Sequence, residues 1–198
     1  GSAGTVTTGA IDPLDELADF CAEEGLWLHI DGAYGALAVL SDRLRPKLKP
    51  AGRAHSLSLD PHKFLFAPLE AGCLLVRDAR VMQSTFSFVP SYLSMESDAD
   101  FLNYAEYGPQ LSRSFKALKV WWSRRAFGRK AYARAMDNLC ELASAMGERI
   151  EAEPDLELMA PVTLNAVCVR CRGLTDAQNA RVLERLLEED VAFLGRAE

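Results

Sequence analysis

The 198-residue sequence lacks several features that mark specialised proteins. No apolar run approaches the ~18–20 residues needed to cross a bilayer, so no membrane partner is expected. Gly1-Ser2-Ala3-Gly4 has neither a basic stretch nor an apolar core, so no secretory leader is expected and the cytoplasm is the expected location. Cysteines are few and odd in number: Cys21, Cys73, Cys140, Cys168 and Cys171, which reads as reduced thiols rather than a disulfide framework. Cys168-Val-Arg-Cys171 has CxxC spacing but no second CxxC and no nearby histidine. It lies in a stretch that reads as a strand, where side chains three apart face opposite sides. With three histidines and no HxH or HExxH, no metal site is expected. Positive charge is not in excess either. The balance of 22 Lys+Arg against 28 Asp+Glu gives −6, which argues against a nucleic-acid or anionic-membrane surface. No internal repeat or low-complexity tract is present. What remains, 49% hydrophobic and 25% charged residues, is ordinary globular composition for one domain or parts of two.

The first 80 residues read as α/β. Asp12-Pro13 is a helix start, with Asp12 as N-cap, and Leu14, Leu17, Ala18 and Cys21 form one buried face. Gly25 supplies the stop. Leu26–Ile30 alternates as a strand would, and Ser2–Thr7 reads as the end of an earlier one. Strand, helix and strand joined by short turns make a βαβ unit and predict a parallel sheet. Ser56–Leu59 and Gly72–Val76 read as further strands, and Ser84–Asp100 as a long loop. From about Gln110 the spacing of Leu111, Phe115, Leu118 and Trp122 predicts a helix. Gly128 bends it, and Tyr132, Met136, Leu139, Ala143, Met146 and Ile150 continue it up to Pro154. A strand over 164–171, a helix near 175–189 and a strand beginning at Val191–Leu194 follow.

Two segments carry chemistry-bearing residues. His29-Ile-Asp31-Gly-Ala-Tyr-Gly35 places a carboxylate among small residues at the carboxyl end of a predicted parallel strand, where open α/β sheets bind ligands. The alternative is that Asp31 caps a turn with Gly32. Asp60-Pro-His-Lys63-Phe-Leu-Phe66 sets a lysine between a strand and an apolar run. A lysine held there has a lowered pKa and can form a Schiff base; the alternative is a snorkelling surface lysine. His62 has the chemistry of a general acid or base.

Taken in order, Gly4-Thr5, Asp12, Trp27-Leu-His-Ile-Asp31-Gly-Ala-Tyr-Gly35 and, 32 residues after Asp31, Lys63 of Asp60-Pro-His-Lys63 resemble the group II pyridoxal-phosphate-dependent amino-acid decarboxylases (the aromatic-L-amino-acid, histidine and glutamate decarboxylase family). Leu111-Ser-Arg113 through Lys119-Val-Trp121 resembles a further family segment. The resemblance implies an α/β protein of the PLP-dependent transferase fold type I, aspartate aminotransferase-like. It covers the second half of the large domain and part of the C-terminal small domain. Residues 1–109 would be the C-terminal part of the cofactor domain, with a catalytic loop at about 84–100. Residues 110–153 would be connecting helices, and 154–198 the start of a truncated small domain.

The resemblance also implies the site. Lys63 would hold pyridoxal 5'-phosphate as a Schiff base. His62 would contact the phosphate or the ring side, and Asp60 would stand at the phosphate end. Asp31 would pair with the ring nitrogen and keep it protonated, while Ala33 would pack on the ring face. Thr5 would sit near the cofactor, although the following position, often a second threonine in the family, is Val6. Ser112 would reach the phosphate of a neighbouring subunit, making the active site a homodimer interface. Tyr92, in Pro90-Ser-Tyr92-Leu, lies 29 residues after Lys63 and resembles the lid tyrosine that protonates the carbanion carbon.

Decarboxylation of an L-amino acid to the amine and CO2 is therefore expected, with an aromatic substrate favoured and a small acidic one the competitor. An aldehyde synthase is the alternative within the fold. The family's upstream ring-stacking histidine and phosphate loop have no counterpart here, so the chain is expected to be an internal fragment, inactive alone. From another class, Arg113, Lys116, Lys119, Arg124, Arg125, Arg129, Lys130 and Arg134 could make a non-catalytic interaction module. A solvated helix face explains the same stripe, and no nucleic-acid partner is expected.

Overall fold

The computed structural model describes residues 1–87 and 103–197. Its centre is the predicted βαβ unit. Ser2 bridges Asp31 in parallel, and the chain returns through helix α1 (Leu14–Glu23) to strand β1 (His29–Asp31). Strand β2 (Ser56–Leu59) runs parallel to β1 with His29 opposite Ser56 and Asp31 opposite Ser58. Strand β3 (Cys73–Val76) closes this edge antiparallel to β2.

Helix α1 buries Leu14 and Ala18 and ends as the glycine predicts. Gly25 has φ +64°, a conformation costly for any residue with a Cβ, and Leu26 N–H donates to Cys21 C=O across it. Its start differs from expectation. The helix begins at Leu14 without a side-chain cap, because the Asp12 carboxylate instead accepts the Ser2 N–H at 2.7 Å. The Asp12 N–H donates to Ser2 C=O, so the extended pairing of these two residues takes the carboxylate that would have capped the helix.

Beyond β1 the chain makes 3₁₀ turns at Ala36–Leu40 and Lys49–Arg53 around the short helix α2 (Arg45–Leu48). Helix α3 (Ala79–Phe86) follows β3, capped by the Asp78 side chain on Arg80 N–H. It occupies the first residues of the segment expected to be loop. The rest of that loop falls largely on 88–102, outside the described residues. After a 3₁₀ turn at Tyr104–Tyr107 comes helix α4 (Lys116–Ala152), broken at Gly128 (φ 72°, ψ 163°) as predicted.

The two halves of α4 differ. Tyr132, Met136, Cys140, Ala143 and Ile150 are buried, and the first three join the main core with Leu28, Ile30, Leu14 and Leu164. Ahead of the break, the expected apolar face is exposed: Phe115 is 74% and Trp122 62% accessible. This also corrects the expected start near Gln110. With Leu111 and Phe115 unpacked, residues 110–115 gain nothing from helical order, and the helix begins at Lys116.

Strands β4 (Leu156–Leu158) and β5 (Val169–Cys171) pair antiparallel. The strand expected over 164–171 is therefore confined to its end. Leu164 leaves the ladder to enter the core, where it is 1% accessible. Helix α5 (Asp176–Glu188) starts at a reciprocal capping box between Thr175 and Gln178. The strand expected at Val191–Leu194 does not form. That segment has no ladder partner among the described residues, and Phe193 is fully in solvent. Among the described residues, no helix is long and apolar enough to cross a membrane.

Candidate active site

The site grows from the alternation of β1. Ile30 points into the core, so His29 and Asp31 share the opposite, exposed face. The parallel register then brings a serine beside each. Ser56 Oγ lies 2.7 Å from His29 Nδ1 and accepts the Trp27 indole N–H at 2.9 Å. Ser58 O–H donates to Asp31 Oδ1 at 2.9 Å, and the same carboxylate oxygen accepts the Ala33 N–H at 3.0 Å. Asp31 does brace the turn that follows it, but Gly32 N–H goes to Ser58, not to the carboxylate.

These contacts hold the Asp31 carboxyl below the ordinary carboxylate range. The Ala33 N–H is the largest cause, followed by the Ser58 hydroxyl. Partial burial opposes them, and the charges of His29 and Lys63 add to them. A depressed folded-state pKa means that its stabilisation is present above the unfolded value of ~3.9 and is lost as pH falls through the folded value. Asp31 is thus a carboxylate throughout the neutral range. Ser58→Ala should raise its titration midpoint toward the ordinary value, read by carboxyl-carbon NMR; an unchanged midpoint would show that Ser58 does not hold the charge.

The second element begins where β2 ends. Lys63 N–H donates to Asp60 C=O, and Phe66 N–H to Lys63 C=O, winding Asp60–Ala67 into consecutive turns. The Asp60 carboxylate lies 2.9 Å from Lys63 Nζ and 3.7 Å from His62 Nε2. His62 is fixed from its other side, with Nδ1 at 3.1 Å from N and 2.8 Å from O of Ala71. Phe64 is buried, but the Lys63 side chain is 36% accessible and ion-paired. Asp60 and solvent both reach the amine.

Asp31 and the Asp60–Lys63 turn therefore stand at the carboxyl ends of adjacent parallel strands, near enough for the lysine charge to act on Asp31. Ala33 is half-buried in the turn between Asp31 and Gly35. Thr5 spends its hydroxyl locally, bonding Thr8 Oγ1 at 2.8 Å and accepting the Ala10 N–H at 3.1 Å. Ser112 is exposed on the irregular segment before α4, and no described contact joins it to Lys63. Tyr92 lies outside the described residues. Among the described residues, no group of three or more His, Cys, Asp or Glu side chains is arranged for a metal ion.

Two residues that sequence reasoning passed over belong to this neighbourhood. Ser58 sits in the Ser-Leu-Ser-Leu alternation, and the parallel register of β1 and β2, which the sequence does not supply, sets its hydroxyl beside Asp31. Tyr34 packs its ring on Phe64 (centroids 5.3 Å apart) and donates its hydroxyl to Asn165 Oδ1. Burial pushes its phenol up to about 12.

Residues 1–172 match the family model described as the pyridoxal-dependent decarboxylase conserved domain. An aromatic-L-amino-acid decarboxylase of Bacillus atrophaeus is 42% identical over 172 residues, covering 85% of this chain and 36% of the relative. An L-2,4-diaminobutyrate decarboxylase of Rhizobium meliloti is 37% identical over 200 residues, covering 98% of this chain and 40% of the relative. Among solved structures, Oryza sativa TDC with PLP and tryptamine superimposes with a TM-score of 0.92 at 25% identity, over all of this chain and 43% of that one. The chain belongs to the pyridoxal-dependent decarboxylase family and has its fold, type I of the PLP-dependent enzymes. It spans about two fifths of the length of these relatives.

The residues present fit the family's cofactor. The site offers an ionised carboxylate braced by two hydrogen bonds and, in the turn after the adjacent strand, a primary amine that solvent reaches, the two groups that a pyridine ring nitrogen and an aldehyde would need.

Proposed function

We propose that the protein is a PLP-dependent L-amino-acid decarboxylase, with an aromatic substrate favoured. The observation that carries this is the placement of Asp31 at the end of β1 and of Lys63 in the turn that follows the adjacent parallel strand β2, close enough for the lysine charge to act on the carboxylate. Lys63 would carry the cofactor. Asp31 would face the ring nitrogen and keep a proton on it, Ala33 would lie under the ring, and His62 and Asp60 would line its phosphate side. Bound there, pyridoxal phosphate supplies an electron-accepting ring for the pair released as CO2 departs.

Asp60 holds the Lys63 ammonium in place, and Ala71 keeps the His62 ring in one orientation. Tyr92 is assigned delivery of a proton to the substrate carbon, Thr5 a place near the cofactor, and Ser112 contact with the phosphate across a homodimer interface. The domain division is 1–109 for the cofactor domain, 110–153 for the connecting helices and 154–198 for the small domain. The location is cytoplasmic.

Product analysis tests the reaction. The full-length protein given aromatic L-amino acids should release amine and CO2 in equal amounts, and Tyr92→Phe should shift the product toward aldehyde. Aldehyde as the main product of the unsubstituted protein would favour the aldehyde-synthase alternative instead.

A further inference from the structure

Tyr34 joins three parts of the molecule that are distant in sequence. It lies three residues after Asp31, its ring rests on Phe64, the residue after Lys63, and its hydroxyl donates to Asn165. Asn165 is itself anchored. The preceding residue, Leu164, is a buried plug whose side chain fills the space that glycines leave open. A Cβ on Gly35 would lie 2.6 Å from Leu164 Cδ1, and one on Gly4 2.8 Å from the same atom. These glycines thus form a socket for Leu164, and the socket fixes where Asn165 presents its oxygen. Side chains packed this closely transmit a displacement rather than absorbing it.

We propose that Tyr34 is a positioning residue, which ties the segment around Leu164–Asn165 to both the Asp31 loop and the Lys63 turn and so sets the spacing between the carboxylate and the amine. This rests on the decarboxylase reading above. Tyr34→Phe keeps the ring on Phe64 and removes only the bond to Asn165. A merely stabilising role and a positioning role then differ in what they move. The control is Ser41→Ala, which cuts the hydrogen bond that Ser41 donates to Asp137 of α4 and the one it accepts from Leu44 N–H, neither of which involves the Asp31 loop or the Lys63 turn.

The experiment measures kcat, KM, thermal midpoint and visible circular dichroism of the cofactor-loaded full-length protein. Tyr34→Phe is expected to lower kcat about tenfold, the rate equivalent of one net hydrogen bond, with KM changed less than about twofold and the cofactor dichroism altered. Asn165→Ala should do the same, and the double variant should be no worse than either single one. Asn165→Asp, which keeps an acceptor oxygen, should restore most of the rate. Ser41→Ala should lower the thermal midpoint with kcat and dichroism unchanged. If Tyr34→Phe behaves like Ser41→Ala while the unsubstituted protein binds cofactor and turns over, the positioning role is overturned alone. If the unsubstituted protein shows no visible cofactor band, the decarboxylase reading falls and the positioning role falls with it.

Discussion

Asp31→Ala is expected to lower turnover of the full-length protein by on the order of 10²–10³-fold, the range seen when one preorganised electrostatic partner is removed. The carboxylate is held ionised by Ala33 and Ser58, so its charge is available without reorganisation when electrons move into the cofactor ring. Asp31→Asn separates charge from shape. It keeps an acceptor for both hydrogen bonds and loses the charge, so its turnover should fall nearly as far as that of Asp31→Ala while its thermal midpoint stays closer to that of the unsubstituted protein. Steady-state rates of the two variants together with cofactor titration check this. Full activity in Asp31→Asn would mean that the charge is not what the site uses.

Lys63→Ala is expected to abolish the visible absorbance of bound cofactor and with it measurable turnover. The loss should be chemical rather than structural. Lys63 makes one partly exposed ion pair with Asp60, and such pairs contribute about 0–1 kcal/mol to folding. The thermal midpoint of the apoprotein should therefore change little, and a scan of both proteins without cofactor separates the two explanations. Unfolding of Lys63→Ala at ordinary temperature would point to a structural lysine. A visible cofactor band surviving in the variant would remove Lys63 from its assigned role.

Much of the site was legible because its determinants are local. Strand alternation put His29 and Asp31 on one face and Ile30 on the other, Gly25 marked the end of α1, and short joints announced the parallel pairing of the Ser2 segment with β1. What could not be read depends on register between distant segments. Ser58 reaches Asp31 across 27 positions and Tyr34 reaches Asn165 across 131, and nothing near either residue names its partner. The Asp12 cap failed for a related reason, since the carboxylate had a competing donor in Ser2. The apolar spacing around Phe115 and Trp122 was real as a pattern but buries nothing among the described residues. Periodicity records what a segment can bury, while the extent of the helix depends on what it does bury.

Reductive trapping tests the central assignment most directly. The full-length protein is loaded with pyridoxal phosphate, reduced with borohydride, digested and mapped by mass spectrometry. The added mass should sit on the peptide containing Lys63 and disappear in Lys63→Ala. Trapping on a different lysine, with the Lys63 peptide unmodified, would contradict it.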